Sequence, residues 1–268
     1  MDTKSTSIIG AVVLLIIAIG LVLWYMSEHP APFLNEHAGI GTATTTSTTA
    51  PTADQRLDEH AKYYDITATY PGSTRLTGQA NAQSIEVMKQ FETNAISAFK
   101  EQGNFDNLSA QDITTFGFDQ GRKESLDIKY VTKTGPHTVS YIFTMFQDTL
   151  GAHPNTYFRT FTWNTTTGEG LELSDFFTGD YLAVLSKVSR EKLPAIIAKK
   201  AGMPASQVDM EYLKRGTTPD TDNFTNWYIE GSSLVLIFPP YQVGPYVIGT
   251  QEVPLPLANL SGIKSQYK

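Results

Sequence analysis

The feature that most constrains this chain is an uncharged run, IIGAVVLLIIAIGLVLWYM, from Ile8 to Met26. A helix apolar on every face has no side to turn to water, so it must lie in a core or cross a bilayer. At about 1.5 Å per residue the run reaches roughly 28 Å, the thickness of a membrane's hydrocarbon layer. Its Ile, Leu and Val residues each favour insertion by about 0.3–0.6 kcal/mol. Trp24 and Tyr25 stand at its end, where interfacial aromatics belong. A cleaved leader has an apolar stretch of about 7–15 residues followed closely by a small-x-small site. Here Ser27-Glu28-His29-Pro30 follows instead. The run is therefore read as a transmembrane helix acting as a signal-anchor. Lys4 precedes it, Glu28 and Glu36 follow it, and no Lys or Arg appears until Arg56. That asymmetry predicts a single-pass protein with residues 1–7 as a cytoplasmic stub and the C-terminal part extracytoplasmic, in the periplasm or at the cell surface.

Residues 27–60 read as a linker. Pro30 and Pro32 open it, and TATTTSTTAPT (42–52) is a Thr-rich low-complexity stretch. Such a stretch buries too little apolar surface to offset its ordering entropy. Beyond it the remaining length is ample for a sizeable core. The net charge is −7, and removing the anchor with Asp2 and Lys4 leaves it unchanged. An acidic domain repels phosphate backbones, so no nucleic acid is expected as a partner, whereas a cationic protein is compatible. There are no cysteines, which excludes disulfides, thiolate metal sites and cysteine nucleophiles.

The folded part predicts an α+β class, a mostly antiparallel sheet packed with two or three helices. YYDITATYPG (63–72) alternates like a strand and ends at a Pro-Gly turn. From about Ala80 to Gln102, Ile85, Met88, Phe91, Ala95, Ile96 and Phe99 recur at helical spacing, with Gly103 as a stop. Residues 125–134 and 137–147 form a hairpin about Gly135-Pro136. A further strand begins near Thr156, followed by a turn at Gly168 and a helical turn capped by Ser174. Asp180 starts a second helix over 180–200, with Leu182, Leu185, Val188 and Ile196 as its apolar stripe and Pro194 as an interruption. A short helix over 204–214 and a hairpin about Glu230-Gly231-Ser232 complete the set.

Catalytic signatures are absent. No Gly-x-Ser-x-Gly elbow, phosphate-binding loop or calcium loop occurs, and neither cofactor nor metal is expected. The string Ser97-x-x-Lys100 lacks the companion elements of a penicillin-binding site. The histidines, at 29, 37, 60, 137 and 153, include no H-x-x-x-H pair. His153 lies in a Gly-Ala-His-Pro turn with no acid at defined spacing. The loop 239–249, PPYQVGPYVIG, is the stronger candidate. Prolines stiffen it, glycines let backbone approach closely, and Tyr241 and Tyr246 offer flat amphipathic surfaces for an interface or a sugar ring.

TLGAHPNTYFRTFTWNTTTGEGLELSDFF (149–177) and FTNWYIEGSSLVLIFPPYQVGPYVIGTQEVPLP (224–256) together resemble a bacterial envelope domain family, the RsiV-like C-terminal domain of the lysozyme-sensing anti-sigma-V factor. The resemblance rests on Gly151-Ala152-His153-Pro154-Asn155, on Leu171-x-Leu173-Ser174-Asp175-Phe176-Phe177, and on Phe238-x-x-Tyr241-x-x-x-Pro245-Tyr246-x-x-Gly249. Residues 61–150 are similar to the small domain preceding this module in PdaC-type peptidoglycan deacetylases. The resemblance thus implies a PdaC-like N-terminal subdomain at 61–150 and an RsiV-like C-terminal subdomain at 151–268. It implies ligand contacts at His153, Asn155, Tyr241, Pro245, Tyr246 and Gly249. The seven-residue stub departs from the sigma-gripping segment of the anti-sigma relatives, and the paired histidines of the deacetylase domain are missing.

The expected function is that of a membrane-anchored binding module of a bacterial cell envelope, held by Ile8–Met26 and recognising a lysozyme-like cationic protein or wall peptidoglycan. A sigma-binding anti-sigma role is not expected. Two alternatives stay open: a structural or accessory envelope protein without a discrete ligand, and a hydrolase.

Overall fold

A computed structural model describes residues 53–267. The expected anchor at 8–26 and the Thr-rich stretch 42–52 lie outside the described residues. Among the described residues no helix is long and apolar enough to cross a membrane.

Among the described residues eight strands form two sheets, joined by four α-helices and several 3-10 turns. The first sheet runs β1(Gln55–His60), β2(Tyr64–Tyr70), β3(Glu124–Thr134), β4(Thr138–Asp148), β5(Asn155–Asn164), in spatial order β1-β2-β3-β4-β5. The second contains β6(Trp227–Glu230), β7(Ser233–Phe238) and β8(Gln251–Pro256), all antiparallel. The long helix α1(Gly78–Gly103) and the short α2(Ala110–Phe116) lie between β2 and β3. The helices α3(Tyr181–Ala201) and α4(Met210–Arg215) precede β6.

The α+β class stands, with one change: β2 pairs with β3 in parallel, so the first sheet is mixed. A chain that leaves a strand through a long helix returns to the sheet in the same direction, because the helix reverses it once. Residues 55–60, expected to be linker, form a strand instead, since Gln55–His60 pair with Asp65–Tyr70. Polar strands of this kind escape hydrophobic periodicity, and backbone pairing at a sheet edge forms them anyway.

Period-two alternation explains how the layers stack. In β4 the residues Tyr141, Phe143 and Met145 join Ile66, Ile128, Phe161 and Trp163 beneath α1. Ile142, on the opposite face, meets Phe158, Tyr228, Val235 and Ile237 between the two sheets. The alternate residues of the second sheet, Trp227, Ile229, Leu234, Leu236 and Phe238, pack with Leu185, Leu193 and Ile197 of α3. The layers therefore run α1, first sheet, second sheet, α3. The free edge of β6 is satisfied across that junction, where Trp227 N donates to Thr160 Oγ1 at 3.1 Å and Ile229 N to Ser140 Oγ at 3.2 Å.

Two boundaries move. β5 lies beyond residue 150 yet closes the first sheet and contributes Phe161 and Trp163 to its core. The first core thus extends past the 150/151 division, and the second begins with Leu173. The helical turn Leu173–Phe176 is capped by Glu172, whose N–H donates to Asp175 Oδ2 at 2.7 Å, while Ser174 sits inside the turn. Asp180 caps α3 as expected, accepting from Ala183 N at 3.1 Å. The helix continues through Pro194, because the packing of Leu193 and Ile197 on either side outweighs the one hydrogen bond proline removes.

Candidate functional site

The loop after β7 is fixed from inside. Val243 and Ile248 are its anchors, both buried in the second core. Gln242 clamps its base, with Nε2 donating to Gly216 O at 3.0 Å and to Asn223 O at 2.9 Å. Gly216 is required there: a Cβ on it would stand 1.7 Å from Gln242 O. At the far end Pro245 is exposed and starts a 3-10 turn, Tyr246–Ile248. Gly249 closes that turn at φ 62, ψ −164, a region essentially reserved for glycine.

With Val243 and Ile248 holding the loop, the tyrosines are left for the surface. Tyr241 is 46% exposed and adopts φ +70, a left-handed conformation rare for a residue with a side chain. His153 reaches the same place from the turn before β5. Its ring stacks on Tyr246 with centroids 3.7 Å apart and planes 16° from parallel. The ring centroids of Tyr241 and Tyr246 are 5.6 Å apart. His153 Nδ1 lies 2.9 Å from Pro154 O, an atom that only accepts, so Nδ1 carries the proton. In the neutral ring Nε2 then accepts from Tyr241 O–H, at 2.6 Å. Both ring nitrogens are engaged, which leaves no free base on His153.

Three of the six expected residues, His153, Tyr241 and Tyr246, thus converge, although His153 and Tyr241 stand 88 positions apart in sequence. Pro245 and Gly249 shape the loop without joining the cluster. Asn155 opens β5 opposite Gln147 and bonds to none of the three aromatic residues. Val247 adds an apolar side chain, 87% exposed, between Tyr246 and the buried Ile248.

Beside the loop lies a groove of about 420 Å³ lined by Phe158, Ile196, Lys200, Thr250, Gln251 and Glu252. Lys200 donates to Thr250 O. Gln251 is 1% exposed, with Nε2 donating to Ile248 O at 2.6 Å and to Gly249 O at 3.1 Å. Those two acceptors fix the orientation of the amide, and its Oε1 has no partner among the described residues. A buried carbonyl left so costs about 1–3 kcal/mol. Sequence reasoning missed this groove because its residues come from β5, α3 and β8, with no motif between them.

The first core holds two nearly buried acids. Glu92 on α1 and Glu124 at the start of β3 are 5% and 7% exposed. Burial pushes each carboxyl up to about 7, with Asp148 adding repulsion at Glu124. Lys100, from the Ser-x-x-Lys string, is paired with Glu59 at 2.7 Å. Among the described residues no three His, Asp or Glu side chains converge as metal ligands.

Residues 174–258 match the family described as "Protein of unknown function (DUF3298)". The chain is 29% identical over 150 residues to the peptidoglycan-N-acetylmuramic acid deacetylase PdaC of Bacillus subtilis, an alignment covering 54% of this chain and 31% of PdaC. The aligned part is thus about a third of the length of that relative. A crystal structure of a DUF3298 family member from Bacteroides fragilis superposes with a TM-score of 0.52. It is 15% identical and the alignment covers 79% of this chain and 92% of the other, so the two share a fold.

Proposed function

We propose that this protein is a binding module of a bacterial cell envelope, anchored through Ile8–Met26, displayed outside the membrane, and recognising wall glycan. The observation that carries this reading is the surface cluster of His153, Tyr241 and Tyr246. Rings stacked at 3.7 Å and tied by a 2.6 Å hydrogen bond hold their shape before any ligand arrives. Preordered aromatic rings bind at low entropic expense and suit the flat faces of sugar rings. The positive φ of Tyr241 supports the same reading. Glycine would relieve that strain, so a tyrosine at this position fits a role for its ring. Similarity to DUF3298 and to a peptidoglycan deacetylase supports an envelope setting.

The test is cosedimentation of the full chain with purified peptidoglycan. The double variant Tyr241→Ala, Tyr246→Ala should lose at least tenfold in affinity while its circular dichroism and a cooperative melt show that it still folds. Retained binding by a folded double variant would remove the cluster from the reading.

A lysozyme-like protein is the second reading, favoured by the net charge of −7 and by the RsiV-like resemblance of the loop. It predicts capture of a cationic lysozyme that weakens steeply with salt, whereas stacking on a neutral glycan responds little to salt.

A further inference from the structure

We infer that the outer edge of β5 pairs with the same edge of a second copy of this chain, joining the two first sheets antiparallel about Phe158. This pairing goes beyond the glycan reading and does not depend on it.

A sheet edge presents a row of unpaired N–H and C=O groups, which proteins blunt with charges, prolines or covering groups. Among the described residues, three of the four sheet edges are blunted in this way. β1 carries the exposed charges Arg56 and Asp58. β8 carries Pro254 and Pro256, which have no N–H to offer. The edge of β6 is covered where Thr160 and Ser140 accept from Trp227 N and Ile229 N. β5 lacks these devices over Asn155–Thr160, a stretch without proline in which every residue is partly exposed.

Alternation shows which backbone groups point outward. Leu171 N donates to Thr162 O at 2.8 Å and Asn164 N to Glu169 O at 2.9 Å, both on the side away from β4. By the period of two, Thr156, Phe158 and Thr160 turn their N–H and C=O the same way. None of these groups has a hydrogen-bond partner among the described residues. The chain thus extends the sheet itself beside residues 162–164, then turns away into Leu173–Phe176 and leaves the rest of the edge open.

That remainder is complementary to itself in one register. With Phe158 opposite Phe158 of the second copy, Thr156 faces Thr160 and Thr160 faces Thr156, so each outward donor meets an acceptor. On the α1 side Arg159 then stands opposite Tyr157 of the second copy. Arg159 makes no ion pair among the described residues, and its guanidinium already lies 5.2 Å from the Phe161 ring, so a further aromatic neighbour suits it. Moving the two-fold axis to Arg159 sets like charges opposite each other. It also calls on Thr162 O, which Leu171 N occupies. Moving the axis to Tyr157 sets Pro154, which has no N–H, against Thr160. The contact about Phe158 is isologous, so it closes as a dimer and leaves no repeating edge.

Sedimentation equilibrium of the full chain in mild detergent tests this, with Thr156→Pro as the variant. The N–H that proline removes points away from β4, so the strand keeps its own ladder. The full chain should form dimers, and Thr156→Pro should raise the dimer dissociation constant at least about tenfold. Cysteine crosslinking checks the register in a chain that has no cysteine of its own. Phe158→Cys should give a disulfide-linked dimer on mild oxidation, because directly opposed residues lie within disulfide reach. Val131→Cys, on an exposed position of β3, should not. A chain that stays monomeric at every concentration overturns the pairing. A dimer that a folded Thr156→Pro leaves unweakened does so too, by placing the association elsewhere, and so does equal crosslinking of the two cysteine variants. If circular dichroism shows that Thr156→Pro does not fold, the cysteine comparison decides alone.

Discussion

In the first part of the folded chain, α1 lays Glu92 against the sheet and β3 begins on Glu124, each carboxyl almost removed from water. In the second part, the buried polar residues are Ser186, Ser189, Thr217 and Gln251, all neutral. Several of these are tied into loops: Ser186 Oγ donates to Thr217 O at 2.6 Å, and Gln251 holds Ile248 and Gly249. One half therefore carries raised carboxyls in its core. The other carries a neutral core and uses its polar groups to fix an exposed aromatic loop. The difference separates two kinds of response. The largest proton-linked effect is expected from the first half, and the proposed recognition rests on the second.

The comparison breaks first if the halves unfold independently. Phe143→Ala in the first core and Phe238→Ala in the second should each cost about 3–5 kcal/mol. β4 has both faces buried, one in each direction, so either loss should undermine the whole. With Trp24 replaced by Phe, Trp163 reports on the first core and Trp227 on the second. Urea unfolding followed by the two tryptophans in turn should give one coincident transition. Separate midpoints would show two independent domains.

The titration itself is the next largest effect. Glu92 and Glu124 rise from 4.5 to about 7 on folding. Between those values the native state holds protons that the unfolded chain has released. The contribution of these two groups is therefore full below about pH 4.5, falls as pH rises toward 7, and levels off above, by on the order of 3 kcal/mol per group. Glu92→Leu should recover about 3 kcal/mol at pH 8 and far less at pH 4, measured as denaturation midpoints. An equal gain at both pH values would exclude titration as the cause.

Smaller changes sharpen the contrast from the second half. Gln242→Ala leaves Gly216 O and Asn223 O without their donor, at about 1–3 kcal/mol. Hydrogen exchange should loosen the loop 239–249 while protection in α1 stays as before. Tyr241→Gly relieves the positive φ and forfeits the bond to His153. The two terms are each about 1 kcal/mol and opposed, so its melting temperature should barely move while peptidoglycan binding is lost.

Much of the fold was legible along the chain. The helical spacing from Ile85 to Phe99, the hairpin at Gly135-Pro136 and the Asp180 cap all stand where local pattern put them. Three features were not legible. The strand Gln55–His60 is polar and exists only because β2 offers an edge. Glu92 takes a buried position on α1 that periodicity assigns to an apolar residue. The groove joins residues from three elements that share no motif.

The candidate site divides in the same way. Sequence by itself determined which loop is stiff, aromatic and rich in proline and glycine, because those properties belong to residue types. It also set the alternation in β4 and β6–β8 that fixes which side chains turn inward. Only the tertiary structure decided that Val243 and Ile248, rather than the tyrosines, hold the loop. It alone brought His153 onto Tyr246 from the far end of the first sheet. A stacking contact between residues so distant in sequence has no local signature. It forms because two sheets packing face to face bring the turn before β5 and the loop after β7 to one surface.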